Sequence, residues 1–218
     1  MTKIPTTAEL DPRAAVQHLR ESGYLQAHDT TEDGLRACLV ELGTIIQTTD
    51  VTPRPGRALV TSRKPLGPHT DHHRADLVVW HCHAQADEGG ETLLWDGLKV
   101  FSSLDLEDQA ALGRVRFKEH RAFPDDPESH PMVERLHGQV RLYYAYWLRD
   151  QLDPPEARAL EHFRDTLTRT PVMKLRLQPG DSLLVANRRV LHGRTAITGT
   201  GNRLLRRFWV SCKQGLAL

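Results

Sequence analysis

Apolar positions along the chain follow a helical period at first and a shorter rhythm afterwards. Asp11-Pro12 supplies an N-cap and a first-turn proline, good helix formers follow from Ala14 to Leu19, and Gly23 stands where that helix should end. Leu35, Leu39, Leu42 and Ile46 recur at three- and four-residue spacing and predict a second helix over residues 31–46. After Pro53, Pro55 and Gly56 the apolar runs shorten, and residues 58–62, 75–83 and 91–95 read as strands. Asp96 and Asp105 are placed to cap short helices, and strand-like runs follow at 115–123 and 140–147. One more helix is predicted from Asp153-Pro154 to about Thr168, with Ala157, Leu160, Phe163 and Leu167 on one face. The last third returns to strands at 172–177, 182–186 and 203–211, with a turn at Gln178-Pro179-Gly180-Asp181. Many short strands with peripheral helices predict a mainly β, double-sheet fold. No repeat, linker or low-complexity tract divides residues 1–218, which read as a single domain.

Composition narrows the functional classes. At 218 residues a folded chain buries roughly 70–75% of its unfolded surface, so no disulfide scaffold is needed. Cys38, Cys82 and Cys212 are odd in number, far apart and without a CxxC, which argues against both a disulfide framework and a cysteine zinc site. Lys and Arg total 29 against 28 Asp and Glu, a net charge of +1, so nothing points to nucleic acid or an anionic membrane. No apolar run approaches the roughly 20 residues of a membrane span, and Met1 leads into Thr-Lys-Ile-Pro rather than a signal-peptide core. A cytoplasmic location is the expectation. Twelve histidines, about twice ordinary usage, raise metal chemistry as a candidate.

His69-Thr70-Asp71 puts an imidazole and a carboxylate two residues apart, on the same side of an extended chain, where both reach one metal ion. By itself such a pair is expected about once by accident in a chain this rich in histidine. Gly89-Gly90-Glu91-Thr92 then forms a turn that delivers Thr92 to the start of a strand, and the segment from Asn187 to Arg194 offers His192 as a third ligand. Two histidines and one carboxylate on one face of a metal leave three positions open, the arrangement of non-haem Fe(II) oxygenases that hold a co-substrate and O2 together. Arg203 lies eleven residues beyond His192. On an alternating strand Arg203 and Arg207 point one way and Arg206 the other. A buried guanidinium needs an anion, and a bidentate carboxylate matches its geometry.

Together these residues resemble the taurine dioxygenase and clavaminate synthase group of Fe(II)/2-oxoglutarate-dependent oxygenases. The resemblance runs from about Pro65 to Val210. It is carried by Pro68-His69-Thr70-Asp71, Gly89-Gly90-Glu91-Thr92 with Asp96, His130-Pro131, Pro179-Gly180-Asp181, the stretch from Asn187 to Arg194, and Arg203 with Arg207. It implies a double-stranded β-helix, a distorted jelly roll, with His69, Asp71 and His192 as iron ligands. Thr92 and Arg203 would hold the distal carboxylate of 2-oxoglutarate, and Arg207 is similar to an arginine near its 1-carboxylate or the prime substrate. The implied reaction consumes O2 and 2-oxoglutarate and oxidises an unactivated C–H bond of a small molecule, an amino acid or a specialised-metabolite intermediate. Hydroxylation is the default, and desaturation or cyclisation would use the same centre. Related halogenases carry a small residue where Asp71 stands, which argues against halogenation. The chain departs from its relatives at Ala186, where many have Asp. It is also shorter than most, chiefly at the N-terminus and between Asp71 and His192, where the substrate lid usually sits.

Two other readings use the same residues. A zinc-type metallohydrolase would employ the His-Asp-His set but leaves Thr92, Arg203 and Arg207 without a task. A non-catalytic ligand-binding member of the fold would keep every motif. Among the remaining histidines, His81 and His83 alternate on a strand and His72-His73 adjoin the first ligand pair; all read as hydrogen-bonded structure rather than a second metal site. His120, His130 and His137 receive no role. The run Tyr143, Tyr144, Tyr146, Trp147 reads as core packing on a strand, and Arg121 and Arg141 as solvated strand residues.

Overall fold

The computed structural model describes residues 10–54, 59–118, 122–136, 138–148, 151–199 and 201–213. His120, Arg121 and His137 lie outside them. In chain order the elements begin with α1 (Pro12–Ser22), β1 (Tyr24–Ala27), α2 (Glu32–Leu42), β2 (Gly43–Val51), β3 (Leu66–His69), β4 (Leu77–Ala84) and β5 (Thr92–Asp96). They continue with α3 (Gly97–Ser103), α4 (Leu106–Leu112), β6 (Arg116–Lys118), β7 (Ser129–Pro131), β8 (Val133–Leu136) and β9 (Gln139–Leu142). The last are α5 (Pro154–Arg169), β10 (Met173–Leu175), β11 (Ser182–Ala186), β12 (Val190–Arg194) and β13 (Leu204–Cys212). None of the described helices is long and apolar enough to cross a membrane.

The helix signals act where the sequence puts them. Asp11 accepts from the N–H groups of Arg13 and Ala14 to start α1, and Gly23 ends it in the left-handed conformation that only glycine adopts without strain. Asp96 and Asp105 cap α3 and α4 through Lys99 N and Asp108 N. The helix predicted over 31–46 stops at Leu42, because a sheet competes for its last turn. Gly43 pairs with Cys212, and a Cβ there would lie 2.1 Å from Ser211 O. The β-branched Thr44 and Ile45 then continue that ladder against Ser211 and Val210. Three further expectations are corrected. The strand at 58–62 is a 3₁₀ turn, Leu59–Thr61. Ala157 is exposed, and Ala159 takes its place beside Leu160, Phe163 and Leu167. The strand at 140–147 ends at Leu142, where the β8 partner runs out, and Tyr143 onward is a loop. Neither β3 nor β12 was legible as a strand, since both are short and broken by glycine or histidine.

Two antiparallel sheets carry the fold, a five-stranded one ordered β1-β11-β4-β13-β2 and a four-stranded one ordered β10-β5-β12-β3. Strand alternation sorts their residues into three layers. Val78, Trp80, Leu183, Val185, Leu205 and Trp209 from the larger sheet meet Leu94 and Val190 from the smaller one between the sheets. The other face of the larger sheet, with Leu77, Val79, Phe208 and Val210, is covered by Leu19, Leu35, Leu39 and Leu42 of α1 and α2. On the far side of the smaller sheet, Leu191 packs with Phe101, Leu112, Phe163 and Tyr144, under α3, α4 and α5. The space between the two sheets is therefore largely buried, and polar side chains pointing into it have little water to turn to.

Candidate metal centre

The centre lies between the sheets, where β3 and β12 run side by side. Their register sets His69 directly opposite His192, with ring centroids 4.3 Å apart. Asp71 follows in the loop after β3. Its Oδ1 lies 3.7 Å from His69 Nε2 and 3.6 Å from His192 Nε2, and one donor atom from each residue falls within 4.8 Å of the other two. All three side chains are buried.

The surroundings prepare two of the three donors, His69 and Asp71. His69 Nδ1 meets the Gly67 carbonyl at 2.9 Å, so that nitrogen carries the proton and Nε2 turns to the centre as a free lone pair. Burial, then the neighbouring His192, hold the His69 pKa down to about 3, so the ring is neutral and ready to coordinate. Burial alone would raise Asp71. The Arg207 guanidinium, followed by His192 and His69, overrides it and holds the carboxyl well below its ordinary range. Asp71 Oδ2 accepts from Arg207 Nη1 at 2.9 Å and Trp209 Nε1 at 2.7 Å, which leaves Oδ1 facing the two imidazoles. Two imidazole nitrogens and one carboxylate oxygen, converging on one point, fit a divalent transition metal.

The loop bearing Asp71 is tied down by Asn187, which is fully buried after β11. Its Oδ1 accepts from Asp71 N at 2.8 Å, and its Nδ2 faces the carbonyls of Asp71, His72 and Ala75, closest at 2.8 Å to Ala75. Thr70 and Tyr144 exchange two more bonds, Thr70 N to Tyr144 O at 2.9 Å and Tyr144 N to Thr70 Oγ1 at 2.8 Å. The aromatic run is therefore pinned to the loop instead of extending a strand. Tyr143 and Tyr144 are core, while Trp147 sets its edge against His69 at 5.1 Å.

One cleft holds His69, Asp71, His192, Thr92, Arg203 and Arg207, with Val51, Val60, Leu66, Trp80 and Leu205 as apolar wall. Arg207 on β13 and Arg203, the residue just before that strand, both line the cleft and Arg206 does not, as alternation predicts. Among the described residues Arg203 is bonded to neutral oxygens, Gln85 Oε1 at 3.2 Å and Gly90 O at 3.5 Å. Gly90, at φ +75°, sits against it, and a Cβ there would come within 3.2 Å of Arg203 Nε. Burial, then Arg194, push the Arg203 pKa down to about 10. Arg207 Nε is buried without a hydrogen-bond partner.

Three neighbours of the cleft went unassigned in the sequence. Arg194 lines the cleft and donates from Nη2 to Ser62 O and, at 2.7 Å, to Lys64 O, anchoring the approach to β3. Trp80 sets its edge against His192 at 4.9 Å, and Trp209 bonds Asp71. Alternation was the available signal for Trp209, two residues beyond Arg207 on one strand. His81 meets Ser182 Oγ at 3.0 Å and His83 meets Glu32 at 3.1 Å, both on the outer face. His72, His73 and Asp126 also cluster closely enough for a metal, but His72 Nδ1 accepts from Arg74 N, which leaves its proton on Nε2 for Asp126 at 3.1 Å. His130 stacks on His73 at 4.3 Å and meets Arg188 Nη2 at 3.3 Å. Arg141 is half-buried in ion pairs with Asp76 and Glu134 rather than solvated.

A family model described as Taurine catabolism dioxygenase TauD, TfdA family matches residues 15–209. Among solved structures the chain is similar to an asparagine oxygenase in complex with Fe(II), 3-hydroxyasparagine and succinate (TM-score 0.74, 19% identity, 92% of this chain and 79% of that one). It is also similar to the non-haem iron oxygenase OrfP in complex with Fe and α-ketoglutaric acid (0.70, 17%, 93% and 80%). A third is PvcB from Pseudomonas aeruginosa (0.69, 17%, 94% and 81%). At these identities the likeness is one of fold, and it agrees with the jelly roll that the motifs imply.

Proposed function

This chain belongs to the taurine catabolism dioxygenase TauD, TfdA family, and on that premise we propose that it is an Fe(II)- and 2-oxoglutarate-dependent dioxygenase. It oxidises an unactivated C–H bond of a small molecule, an amino acid or a specialised-metabolite intermediate, with hydroxylation as the default. The observation that carries this reading is the convergence of His69, Asp71 and His192 in one cleft with Thr92 and Arg203, a metal-binding triad beside a buried cation. A zinc hydrolase needs the triad alone. Two of the solved structures named above hold Fe with succinate or α-ketoglutaric acid, which supports the same chemistry here.

In this reading His69, Asp71 and His192 hold the iron through Nε2, Oδ1 and Nε2. Iron with 2-oxoglutarate, when bound, supplies the oxidising power, through O2 and decarboxylation of the co-substrate to succinate and CO2. Arg203 takes the distal carboxylate of 2-oxoglutarate in a two-pronged pair, with the Thr92 hydroxyl beside it. The apolar wall excludes water and strengthens that pair. Arg207 holds Asp71 ionised with Nη1 and keeps its Nε for an incoming carboxylate.

Anaerobic titration of the Fe(II) protein with 2-oxoglutarate tests this. A weak visible charge-transfer band is expected, and succinate release on admitting O2 with a substrate. Zinc-supported ester or amide hydrolysis without that band would overturn it, and a band without succinate across candidate substrates would leave a binding protein.

A further inference from the structure

Trp209 is the neighbour of this centre that no motif assigns. Its indole N–H and the Arg207 guanidinium both donate to Asp71 Oδ2, at 2.7 and 2.9 Å, while Oδ1 alone lies between the two imidazoles. The indole is itself fixed. It stacks on His72 at 5.4 Å, and the Arg207 guanidinium carbon lies 4.8 Å from the centre of the ring. His72 is pinned in turn to Asp126 and Arg74. A carboxylate free to turn about its Cβ–Cγ bond could offer both oxygens to a metal and take up one more position than a single oxygen does. The double donor on Oδ2 opposes that turn.

We propose that Trp209 is a positioning residue that, with Arg207, keeps Asp71 a one-oxygen ligand and so preserves the open positions that the co-substrate and O2 require. This rests on the metal and co-substrate assignment above. The consequence is specific. Removing the indole N–H should spare metal binding, because a second carboxylate oxygen compensates, and should impair chelation of 2-oxoglutarate, because that oxygen now competes for its place.

The test uses Trp209→Phe, which keeps the aromatic body over His72 and under Arg207 and removes only the donor. Three quantities are compared with the native protein: Fe(II) affinity by anaerobic titration, 2-oxoglutarate affinity with the position of the charge-transfer band, and Tm. Trp95→Phe, on the opposite face of the smaller sheet, is the control and should match the native protein in Fe(II) and 2-oxoglutarate affinity and band position, whatever its Tm. Expected for Trp209→Phe are Fe(II) affinity within about threefold, a 2-oxoglutarate dissociation constant raised about 10-fold, equivalent to roughly 1.4 kcal/mol, and a displaced band. Unchanged 2-oxoglutarate binding with an unshifted band overturns the proposal. So does a parallel loss of metal, co-substrate and Tm, which would make Trp209 a packing residue. If the native protein itself gives no band with Fe(II) and 2-oxoglutarate, it is the co-substrate assignment that fails, and with it the premise for Trp209.

Discussion

Arginines point to both sides of β13 and of the residue just before it, and Arg206 on the outer side and Arg203 on the inner side are treated oppositely. Outward, Arg206 meets Asp50 at 2.8 Å and Glu32 at 3.0 Å, and the hydrogen bonds from these carboxylates raise its pKa above the ordinary arginine value. Inward, Arg203 is only 3% exposed, while Arg207, at 9%, is already paired with Asp71 at 2.9 Å. Arg203 touches no carboxylate among the described residues, and burial pulls its pKa down. A guanidinium that the chain pairs with its own acids belongs to the architecture. One that the chain desolvates and leaves with neutral neighbours destabilises the fold unless an anion from outside completes it, and such a site is maintained for binding.

The strongest way to break this comparison is to empty the inner face of its metal donors. His69→Ala or His192→Ala should abolish succinate formation and reduce tightly bound Fe(II) from about one per chain to a trace, read by iron analysis after gel filtration. Full activity in His192→Ala would remove β12 from the centre.

Next in size is the contrast itself. Arg203→Ala should raise the 2-oxoglutarate requirement about 30-fold or more, since truncating one partner of a desolvated charge pair costs roughly 2–5 kcal/mol at about 1.4 kcal/mol per decade. Arg203→Lys should recover only part, as an ammonium restores charge without the planar fork. Arg206→Ala should leave co-substrate affinity unchanged. Titrating the anaerobic iron complexes of all three decides it, and the reverse ranking would exchange the roles of the two faces.

A smaller effect is expected from the loop that brings Asp71 to the inner face. Asn187→Ala leaves a buried N–H and several carbonyls without their partner, a loss of about 3 kcal/mol that should lower Tm by roughly 6–12 °C. Calorimetry reads it. Fe(II) retention should fall along with Tm, because the ligand-bearing loop loses its anchor.

The smallest change is on the outer face. Arg206→Ala should cost less than about 1 kcal/mol, as for other solvent-screened pairs. Its pH dependence has a definite sign. Burial pushes Glu32 up, but Arg36 and Arg206 bring it below its ordinary 4.5, and the Arg206 hydrogen bond brings Asp50 below 3.8. Lowered folded-state values give stability that is present above the ordinary values and lost as pH falls through the lowered ones. The stability gap between native and Arg206→Ala should therefore be widest above about pH 5 and shrink as pH falls below the ordinary carboxylate values, measured by urea unfolding.

What the sequence by itself determined was whatever depends on local period and local chemistry. N-cap aspartates start helices through their own neighbours. Alternation separates Arg206 from Arg203 and Arg207, and the His69-Thr70-Asp71 spacing sets two donors on one side of the chain. What only the tertiary structure decided involves partners far away in sequence. Helix α2 stops at Leu42 because Gly43 finds Cys212, and Tyr143 to Trp147 leave strand geometry because Tyr144 is bonded to Thr70. Arg141 is held by Asp76, 65 residues away, instead of facing solvent. Trp209 reaches Asp71 across 138 residues. No periodicity encodes such a pairing, because the contact exists only once two sheets have closed and the buried carboxylate must take its hydrogen bonds from whatever donors the opposite strand presents.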